Sequence, residues 1–259
     1  MIRLVVGGAT GKLGRMVCDL AVASDDIELV GATVSENGGN VGKELYEGVI
    51  ASSPKDLFEL LKNADVYVDL TTPAAASQVI AKVPAAGVNV ILGTTAVDPK
   101  AIGELADNVS KYGVAGIVSS NFARGVNVFW KMCEVMGKYL KDYDIEVIET
   151  HHHFKKDAPS GTAMEAVRRM QKVTGIDDLV FGREGVTGAR GKEIGIHSIR
   201  AGDVYGDHTV MFGGKMELLE LKHRSVSRET FAQGCIDTIR WISDKKDGKL
   251  HTMNEVFNL

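Results

Sequence analysis

Short runs rich in Val, Ile and Leu alternate with longer segments of helical periodicity up to about residue 121. Between the first two runs, Leu13, Val17 and Leu20 recur at helical spacing. This alternation predicts βαβ units, whose right-handed crossovers build a doubly wound, Rossmann-like parallel sheet of the α/β class. The predicted strands are Ile2–Val6, Ile27–Val34, Asp65–Leu70, Val88–Leu92 and Val114–Val118.

The pattern changes after about residue 121, where strands no longer alternate regularly with helices. Alternating polar and apolar residues in the later segments are typical of a mixed or antiparallel sheet. We therefore expect an α/β domain followed by an α+β domain built on such a sheet. The elements predicted for the second part are a helix over Val126–Leu140, a strand over Asp144–Glu149, a helix from about Thr162 to Lys172, strands near Ile194–Arg200, Thr209–Phe212 and Lys215–Lys222, and a last helix over Phe231–Trp241.

Charge and cysteine usage limit the partners and the compartment. The 259 residues include 30 Lys and Arg against 34 Asp and Glu, a net charge of −4, so we expect no nucleic-acid partner. The longest uncharged stretch, Val83–Val97, is interrupted by proline and glycine, which argues against a membrane span. The apolar strand at the N-terminus leaves no room for a signal peptide. Cys18, Cys133 and Cys235 form no C-x-x-C pair, so we expect reduced, buried thiols in a cytoplasmic protein.

A glycine-rich segment follows the first predicted strand and opens a helix. Its glycines are spaced G-x-x-G-x-x-G, which permits a tight turn, close approach of a pyrophosphate and close helix–strand packing. The helix N-terminus would direct N–H groups at the phosphates, so the segment predicts a dinucleotide site. The alternative is a tightly packed βα turn that binds nothing. The segment reads Gly7-Gly8-Ala9-Thr10-Gly11-Lys12-Leu13-Gly14, and residues 8 to 13 are the candidate cofactor contacts.

The end of the second strand bears on the choice of nicotinamide cofactor. A dinucleotide site commonly places an acidic residue there for the adenosine ribose, and Ser35-Glu36 stands at that position. Lys12 and Lys43 could instead approach a 2′-phosphate. The sequence therefore predicts NADH, NADPH or both, without a preference.

Two further loops occur where the fourth and fifth predicted strands end, the edge at which ligands bind in an open α/β sheet. We expect their hydroxyl residues and an exposed aromatic, Phe122, to form a wall of the nicotinamide-ribose site. Two ordinary βα turns with Phe122 buried are the alternative. The loops are Gly93-Thr94-Thr95 and Ser119-Ser120-Asn121-Phe122.

Three of the seven histidines lie together at the end of the Asp144–Glu149 strand. His151 and Lys155 are close enough in sequence to converge on one substrate, which would place a group that titrates near neutrality beside a cationic proton donor. If the strand continues, His151 and His153 share one face and His152 lies on the other. A metal site is the alternative, but no third ligand falls at a familiar spacing, so we predict no metal.

The residues after the histidines begin a helix. Ser160, Gly161 and Thr162 could hold a carboxylate with hydroxyls and free N–H groups. Thr162 and Glu165 also match a capping box, which would make Thr162 the N-cap of the helix. His153 and Lys156 are expected to be solvated loop residues.

The segment Glu149–Ala163 resembles the signature E-x-H-H-x-x-K-x-D-A-P-S-G-T-A of the 4-hydroxy-tetrahydrodipicolinate (dihydrodipicolinate) reductase family at every fixed position. Matches in consistent order run from residue 3 to about residue 240. The other family motifs that this chain resembles lie at Gly8–Gly14, Gly93–Thr95, Asn121–Asn127 and Arg200–Thr209.

The resemblance implies roles by position. His151 is then the catalytic histidine and Lys155 the proton donor, while His152 and Ser160–Thr162 bind the carboxylates of a small dicarboxylate substrate. Residues 8–13, 93–95 and 119–122 line the nicotinamide cofactor. The resemblance also implies that residues 229–259 return to the dinucleotide-binding domain of residues 1–121. Residues 122–228 then form a substrate-binding and oligomerisation domain that associates into a homotetramer.

The chain departs from the family pattern at a few positions. Ser35 stands where an acidic residue is common and Glu36 where a basic one is, while Ala96 replaces a glycine and Thr72 an arginine. Two other functions stay open: a different two-domain NAD(P)-dependent oxidoreductase, or a dinucleotide-binding sensor without catalytic activity. A covalent aldehyde dehydrogenase would need a nucleophilic cysteine, for which Cys133 is the nearest candidate.

Overall fold

The structure is a computed structural model that describes all 259 residues. We number strands and helices separately in chain order. The strands are β1 (Ile2–Gly7), β2 (Ile27–Thr33), β3 (Glu44–Tyr46), β4 (Val49–Ser52), β5 (Val66–Asp69), β6 (Asn89–Leu92), β7 (Gly116–Val118), β8 (Asp144–His151), β9 (Leu179–Phe181), β10 (Ile194–Arg200), β11 (Asp207–Gly214), β12 (Glu217–Arg224) and β13 (Leu250–His251). The α-helices are α1 (Lys12–Val22), α2 (Leu57–Leu61), α3 (Pro73–Val79), α4 (Pro99–Tyr112), α5 (Arg124–Tyr139), α6 (Gly161–Thr174), α7 (Glu229–Ile242) and α8 (Met253–Phe257). None of the helices is both long and apolar enough to cross a membrane.

The chain forms two compact units, the first of which comprises residues 1–123 and 229–258. Its eight-stranded sheet has the order β13-β7-β6-β5-β1-β2-β4-β3, and only the edge pair β3–β4 is antiparallel. Alternate residues of the central strand β1 enter different cores, Leu4 and Val6 on one face and Val5 on the other. Strands buried on both faces explain the continuous Val and Ile runs of the sequence. The predicted doubly wound α/β sheet is confirmed.

The C-terminal segment of the first unit completes its sheet and one of its helical layers. Helix α7 packs against α1, and β13 pairs with β7 at the edge of the sheet. Arg240 of α7 forms an ion pair with Asp26 at 2.8 Å, and the buried Asn89 of β6 donates to the backbone oxygen of Ile242 at 2.7 Å. These contacts place residues 229–258 in the same compact unit as the N-terminal half.

The second unit comprises residues 124–228 together with Leu259. Its sheet has the order β12-β11-β8-β10-β9; β8, β10 and β9 run parallel, and β11 is antiparallel to both β8 and β12. The predicted α+β unit with a mixed sheet is therefore confirmed. Along β8, Ile145, Val147, Glu149 and His151 are buried, whereas Asp144 is exposed and the other alternate residues are half-buried. Helices α5 and α6 pack against the sheet and against each other.

Helix α6 begins and ends at conventional capping residues. The Ser160 side chain accepts a hydrogen bond from the N–H of Ala163, which makes Ser160 the N-cap, and Gly175 ends the helix at φ +71°. The prediction that Thr162 is the N-cap of a capping box is wrong. The N-cap lies two residues earlier because Ser160 already supplies the oxygen that the free N–H groups require.

Some short elements lie outside the predictions. The edge hairpin β3–β4 and the three-residue strand β9 have too few residues to show a period of two, so only the neighbouring strands reveal them. Strand β8 also continues two residues beyond the predicted end at Glu149 and stops at His151.

Candidate active site

The candidate cofactor residues follow the carboxyl ends of parallel strands in the first unit. Those of the glycine-rich loop follow β1, Ser35 and Glu36 follow β2, and the two hydroxyl-rich loops follow β6 and β7. Because these strands are parallel, their carboxyl ends meet at one edge of the sheet. The strand order runs outward from β1 on both sides, through β2 on one side and through β5 on the other, so the order reverses at β1. The fold thus brings four separate stretches of sequence to a single edge.

The glycine-rich loop is shaped by backbone positions that exclude side chains. Gly8 has φ +79°, and the N–H groups of Gly8 and Ala9 donate to the Thr33 oxygen at 3.0 and 3.1 Å. A Cβ at the buried Gly14 would lie 2.9 Å from the Gly8 carbonyl carbon. The N-cap of α1, Gly11, supplies no side-chain acceptor to the first turn. This combination of a close-packed turn and an uncapped helix start fits a bound pyrophosphate.

A buried carboxylate, Asp69, joins the loops that follow β5 and β6. One of its oxygens accepts from the Thr94 hydroxyl at 2.6 Å and from the Thr71 hydroxyl at 2.8 Å, and the other accepts from the Tyr67 hydroxyl at 2.9 Å. The Asp69 backbone oxygen also accepts from the N–H groups of Gly93 and Thr94. Sequence reasoning missed Asp69, whose only signal is an acidic residue at the end of an otherwise apolar strand.

The expectation that Phe122 is an exposed aromatic is wrong, because only 2% of the residue is exposed. A Cβ at Gly93 would lie 2.7 Å from the Phe122 ring, so the glycine makes room for that ring. Ser119 is also buried; its hydroxyl donates to the Asn121 oxygen at 2.9 Å and shapes the loop, whereas Thr95 and Ser120 are exposed. Phe122 therefore packs against the loop at Gly93 instead of forming a solvent-facing wall.

Glu36, the candidate for the adenosine ribose, already has two partners. Its carboxylate lies 2.9 Å from the Lys55 ammonium and accepts from the Ser53 hydroxyl at 2.8 Å. The hydrogen bond from Lys55 lowers the Glu36 pKa. Ser35, Glu36, Thr10 and Lys12 are all exposed. This corner of the unit thus presents a carboxylate and an ammonium together.

In the second unit, the fully buried Glu149 organises the end of β8. Its carboxylate lies 2.5 Å from Nδ1 of His151 and accepts the two N–H groups of the Arg200 fork at 2.8 and 3.0 Å. The backbone N–H of Ser160 donates to the same carboxylate at 3.2 Å. Burial by itself would raise the Glu149 pKa, but the hydrogen bonds from His151 and Arg200 outweigh it and lower the pKa to about 2.

A second histidine, His208 of β11, lies beside this group. Its Nε2 is 3.0 Å from the Ser160 hydroxyl, and its ring meets the His151 ring edge-on with centroids 5.2 Å apart. Burial, reinforced by repulsion from His151, lowers the His208 pKa to about 3, so the ring is neutral at physiological pH. Ser160 therefore links the N-terminus of α6 to an uncharged imidazole.

Lys155 occupies the loop after β8, where its ammonium contacts both carboxylate oxygens of Asp157 at 2.9 Å. The Asp157 backbone oxygen accepts from Arg200 at 2.7 Å. A continuous set of contacts therefore runs from Lys155 through Asp157, Arg200 and Glu149 to His151. Arg200 and Glu149 belong to the quoted motifs, but no local pattern in the sequence predicts that they meet.

The structure separates the three adjacent histidines. Strand β8 ends at His151, so the predicted alternation does not continue: His152 and His153 instead donate their backbone N–H groups to Val204 and Gly202. His151 is buried, His152 half-buried and His153 exposed. Gly161 and Thr162 form the first turn of α6, and the Thr162 oxygen accepts from Trp130 at 2.9 Å.

Comparisons with known proteins agree with the motifs. Residues 2–122 match the family profile described as dihydrodipicolinate reductase, N-terminus, and residues 125–257 match the profile described as its C-terminus. A 4-hydroxy-tetrahydrodipicolinate reductase from Methanosarcina barkeri is 41% identical, with full coverage of both chains. One from Methanocaldococcus jannaschii is also 41% identical, over 98% of this chain and 97% of the relative.

A solved structure is similar over nearly the whole chain. Dipicolinate-bound dihydrodipicolinate reductase from Paenisporosarcina sp. TG-14 superposes with a TM-score of 0.83 at 26% identity, covering 98% of each chain. Both halves of the sequence, its relatives at 41% identity and this structure give the same answer. The chain belongs to the dihydrodipicolinate reductase family.

Proposed function

We propose that the protein catalyses the NAD(P)H-dependent reduction of 4-hydroxy-tetrahydrodipicolinate to tetrahydrodipicolinate, with loss of water, in lysine and diaminopimelate biosynthesis. The observation that carries this proposal is the assembly of His151, Glu149 and Arg200 against the start of α6, in a chain that belongs to the reductase family. A protein that only sensed a dinucleotide would have no use for this second set of residues.

The second unit supplies the groups that a cyclic dicarboxylate requires. One carboxylate binds at Ser160, Gly161 and Thr162, where first-turn N–H groups and the helix dipole favour negative charge. His152 and Lys155 hold the remaining polar groups. The substrate carboxylate replaces Asp157 as the partner of the Lys155 ammonium, so the ammonium keeps a negatively charged partner.

Proton delivery falls to Lys155 and His151. A cationic Lys155 gives a proton to the ring as negative charge develops there, and His151 at the end of β8 assists it. The bound nicotinamide supplies the hydride. The protein contributes position and electrostatic stabilisation, because its donors are fixed before the substrate arrives.

In the first unit, residues 8–13 cradle the pyrophosphate, and residues 93–95 and 119–122 support the nicotinamide end. Ser35 and Glu36 lie near the adenosine ribose. Because Lys55 is paired with Glu36, the same corner offers a carboxylate for ribose hydroxyls and a cation for a 2′-phosphate. We therefore propose that the protein uses both NADH and NADPH.

Loss of absorbance at 340 nm tests the function directly, with substrate generated in situ from pyruvate and aspartate semialdehyde by a synthase. We expect oxidation of either cofactor only when the synthase is present, and the two rates give the preference. Protein that binds the cofactors but oxidises neither would contradict the reductase and favour a sensor. An aldehyde dehydrogenase using Cys133 is disfavoured, because this buried thiol has its pKa raised by burial to about 12.

We also propose that the protein is a cytoplasmic homotetramer that associates through the second unit. One face of its sheet carries the half-buried Ile148 and Met211 and the exposed Ile199 and Leu218. Helix α5 packs against β12, and helix α6 packs against β8. Apolar residues on an open sheet face favour association with another sheet. Light scattering should give four times the chain mass of 27.8 kDa, and a monomer mass at working concentration would contradict this. The three free, buried cysteines support a reducing compartment.

A further inference from the structure

We propose that Glu149 is a positioning residue that holds His151 in its Nδ1–H form, so that Nε2 is the atom of this ring that exchanges a proton during the reaction. The inference deepens the proposed reductase function and rests on it for the catalytic role of His151. The tautomer itself is a property of the protein alone and can be measured without turnover.

The surroundings of the Glu149 carboxylate fix the direction of its hydrogen bond to His151. Arg200 donates two N–H groups, Ser160 donates its backbone N–H, and none of these donors can accept a hydrogen bond from a protonated carboxyl group. A fully buried carboxylate surrounded by donors and facing a guanidinium stays ionised. An ionised carboxylate only accepts, so at 2.5 Å the Nδ1 atom of His151 must carry the hydrogen.

The Nε2 end of the His151 ring has no hydrogen-bond partner in the protein, although most of the residue is buried. Its Nε2 faces Gly206, where an added Cβ would lie only 3.1 Å away. A side chain at this position would cover Nε2, and glycine leaves it approachable. The ring is therefore held at one nitrogen and available at the other.

The other titratable groups facing His151 leave the proton at Nε2 free to move. Glu149 on the same strand and Arg200 from β10 carry opposite charges that cancel. His208 from β11 meets the ring edge-on and is neutral. A proton gained or lost at Nε2 is thus balanced by the charge of the substrate and of Lys155, and not by a rearrangement of buried neighbours.

Replacement of Glu149 by glutamine tests this arrangement at nearly constant shape. Oε1 accepts two fixed N–H groups, one from Arg200 and one from Ser160, whereas Oε2 accepts only one from Arg200 besides facing His151, so the amide oxygen is expected at the Oε1 position. The amide NH2 then faces Nδ1 and favours the Nε2–H tautomer of His151. We expect kcat to fall by up to about 10⁴-fold, the drop seen when the orienting carboxylate of a serine protease becomes an amide.

The readouts are nitrogen-15 NMR of labelled histidine and the pH profile of kcat. The unaltered protein should show His151 with hydrogen on Nδ1 when neutral, and Glu149→Gln should show it on Nε2 with an altered pH profile. Glu149→Asp, which keeps the ionised acceptor, should recover part of the lost kcat. Binding of NADPH should be unchanged in both variants.

Glu255→Gln is the matched control, because Glu255 also holds a histidine at Nδ1, that of His251 at 2.8 Å, but in the first unit. It should keep the unaltered kcat. A Glu149→Gln variant that loses thermal stability yet keeps kcat and its pH profile would overturn the proposal. So would hydrogen on Nε2 of neutral His151 in the unaltered protein, which decides the matter even if the variant fails to fold. Hydrogen on Nδ1 in a protein without reductase activity would reject the proposed function and leave standing only the tautomer that Glu149 fixes.

Discussion

At the scale of single residues, the candidate site combines charged groups that differ in how they are held. Glu149 and Asp69 are fully buried and surrounded by donors, so each fixes the geometry of its neighbours. Lys155 is partly exposed and has only the exposed Asp157 as an ion-pair partner. Buried carboxylates with complete hydrogen bonding position other groups, whereas a partly exposed ammonium can change partner when a substrate arrives.

Lys155→Ala should lower kcat by roughly 10²–10⁴-fold, the usual contribution of a general acid. The substitution removes the ammonium but leaves the buried contacts of Glu149 intact, so the fold should be unchanged. Steady-state kinetics checks this, with the exposed neighbour Lys156→Ala as the control. Equal kcat in the two correctly folded variants would exclude Lys155 as the proton donor.

Asp69→Asn should weaken NADPH binding about tenfold, equivalent to about 1.4 kcal/mol. The neutral amide makes weaker hydrogen bonds than the carboxylate to the Thr71 and Thr94 hydroxyls, so the Thr94 loop is held less firmly. Titration of NADPH fluorescence measures the Kd. The control is Asp65→Asn, which removes an acidic residue at the opposite end of β5, where Asp65 pairs with Arg3. An unchanged Kd for Asp69→Asn would show that the backbone alone holds the loop.

At the scale of elements, the candidate carboxylate site shares its residues with the N-cap of helix α6. The hydroxyl oxygen of this N-cap, Ser160, accepts the N–H of Ala163 and also contacts the His208 ring. The backbone N–H of Ser160 donates to Glu149. The start of the helix is thereby attached to two neighbouring strands, β8 and β11. A change at the cap therefore alters both the helix and the candidate carboxylate site.

Ser160→Ala should reduce the free energy of unfolding by about 1 kcal/mol and raise KM for the dicarboxylate. Denaturant unfolding and steady-state kinetics measure the two effects. Asp98→Ala is a matched control, since Asp98 is the N-cap of α4 in the first unit. Helix α4 has the same length as α6, 14 residues. It should show a similar loss of stability with KM unchanged. A similar KM in the two variants would remove Ser160 from the binding site.

At the scale of the whole molecule, the buried ionisable groups of the second unit predict acid sensitivity. The His208 pKa is depressed to about 3 by burial, whereas an unfolded histidine titrates near 6.5. Between these values the unfolded state binds more protons, so stability falls as the pH falls. The Glu149 pKa of about 2 adds a second loss below its ordinary value of 4.5.

Thermal unfolding measured from pH 7 to pH 4 should therefore show a falling Tm, and His208→Gln should make this decline shallower. The reason is that glutamine takes up no proton on unfolding. His153→Gln is the control, because His153 is exposed and its replacement leaves the buried histidine in place. An equally steep decline in the His208→Gln protein would assign the acid sensitivity to other groups.

Local sequence patterns determined the architecture and the outline of the site. The alternation of apolar runs with helical periodicity is enough to predict the doubly wound sheet, because a strand buried on both faces needs a continuous apolar run. The loop at Gly8–Gly14 was also predictable, since it depends on a few adjacent residues. The N-cap of α6 at Ser160 and the burial of Phe122 could not be predicted, because each depends on which neighbour occupies the same space.

Tertiary structure alone decided how the charged groups meet. Glu149 and Arg200 are 51 residues apart and face each other only because β8 and β10 are paired in one register. Asp69 and Thr94 are 25 residues apart and meet because β5 and β6 are parallel and end together. Periodicity specifies which face of a strand a residue occupies, but not which strand lies beside it or in which register. The candidate catalytic and binding residues can therefore be identified from the sequence, whereas the partners that hold them in place follow from the pairing of distant strands.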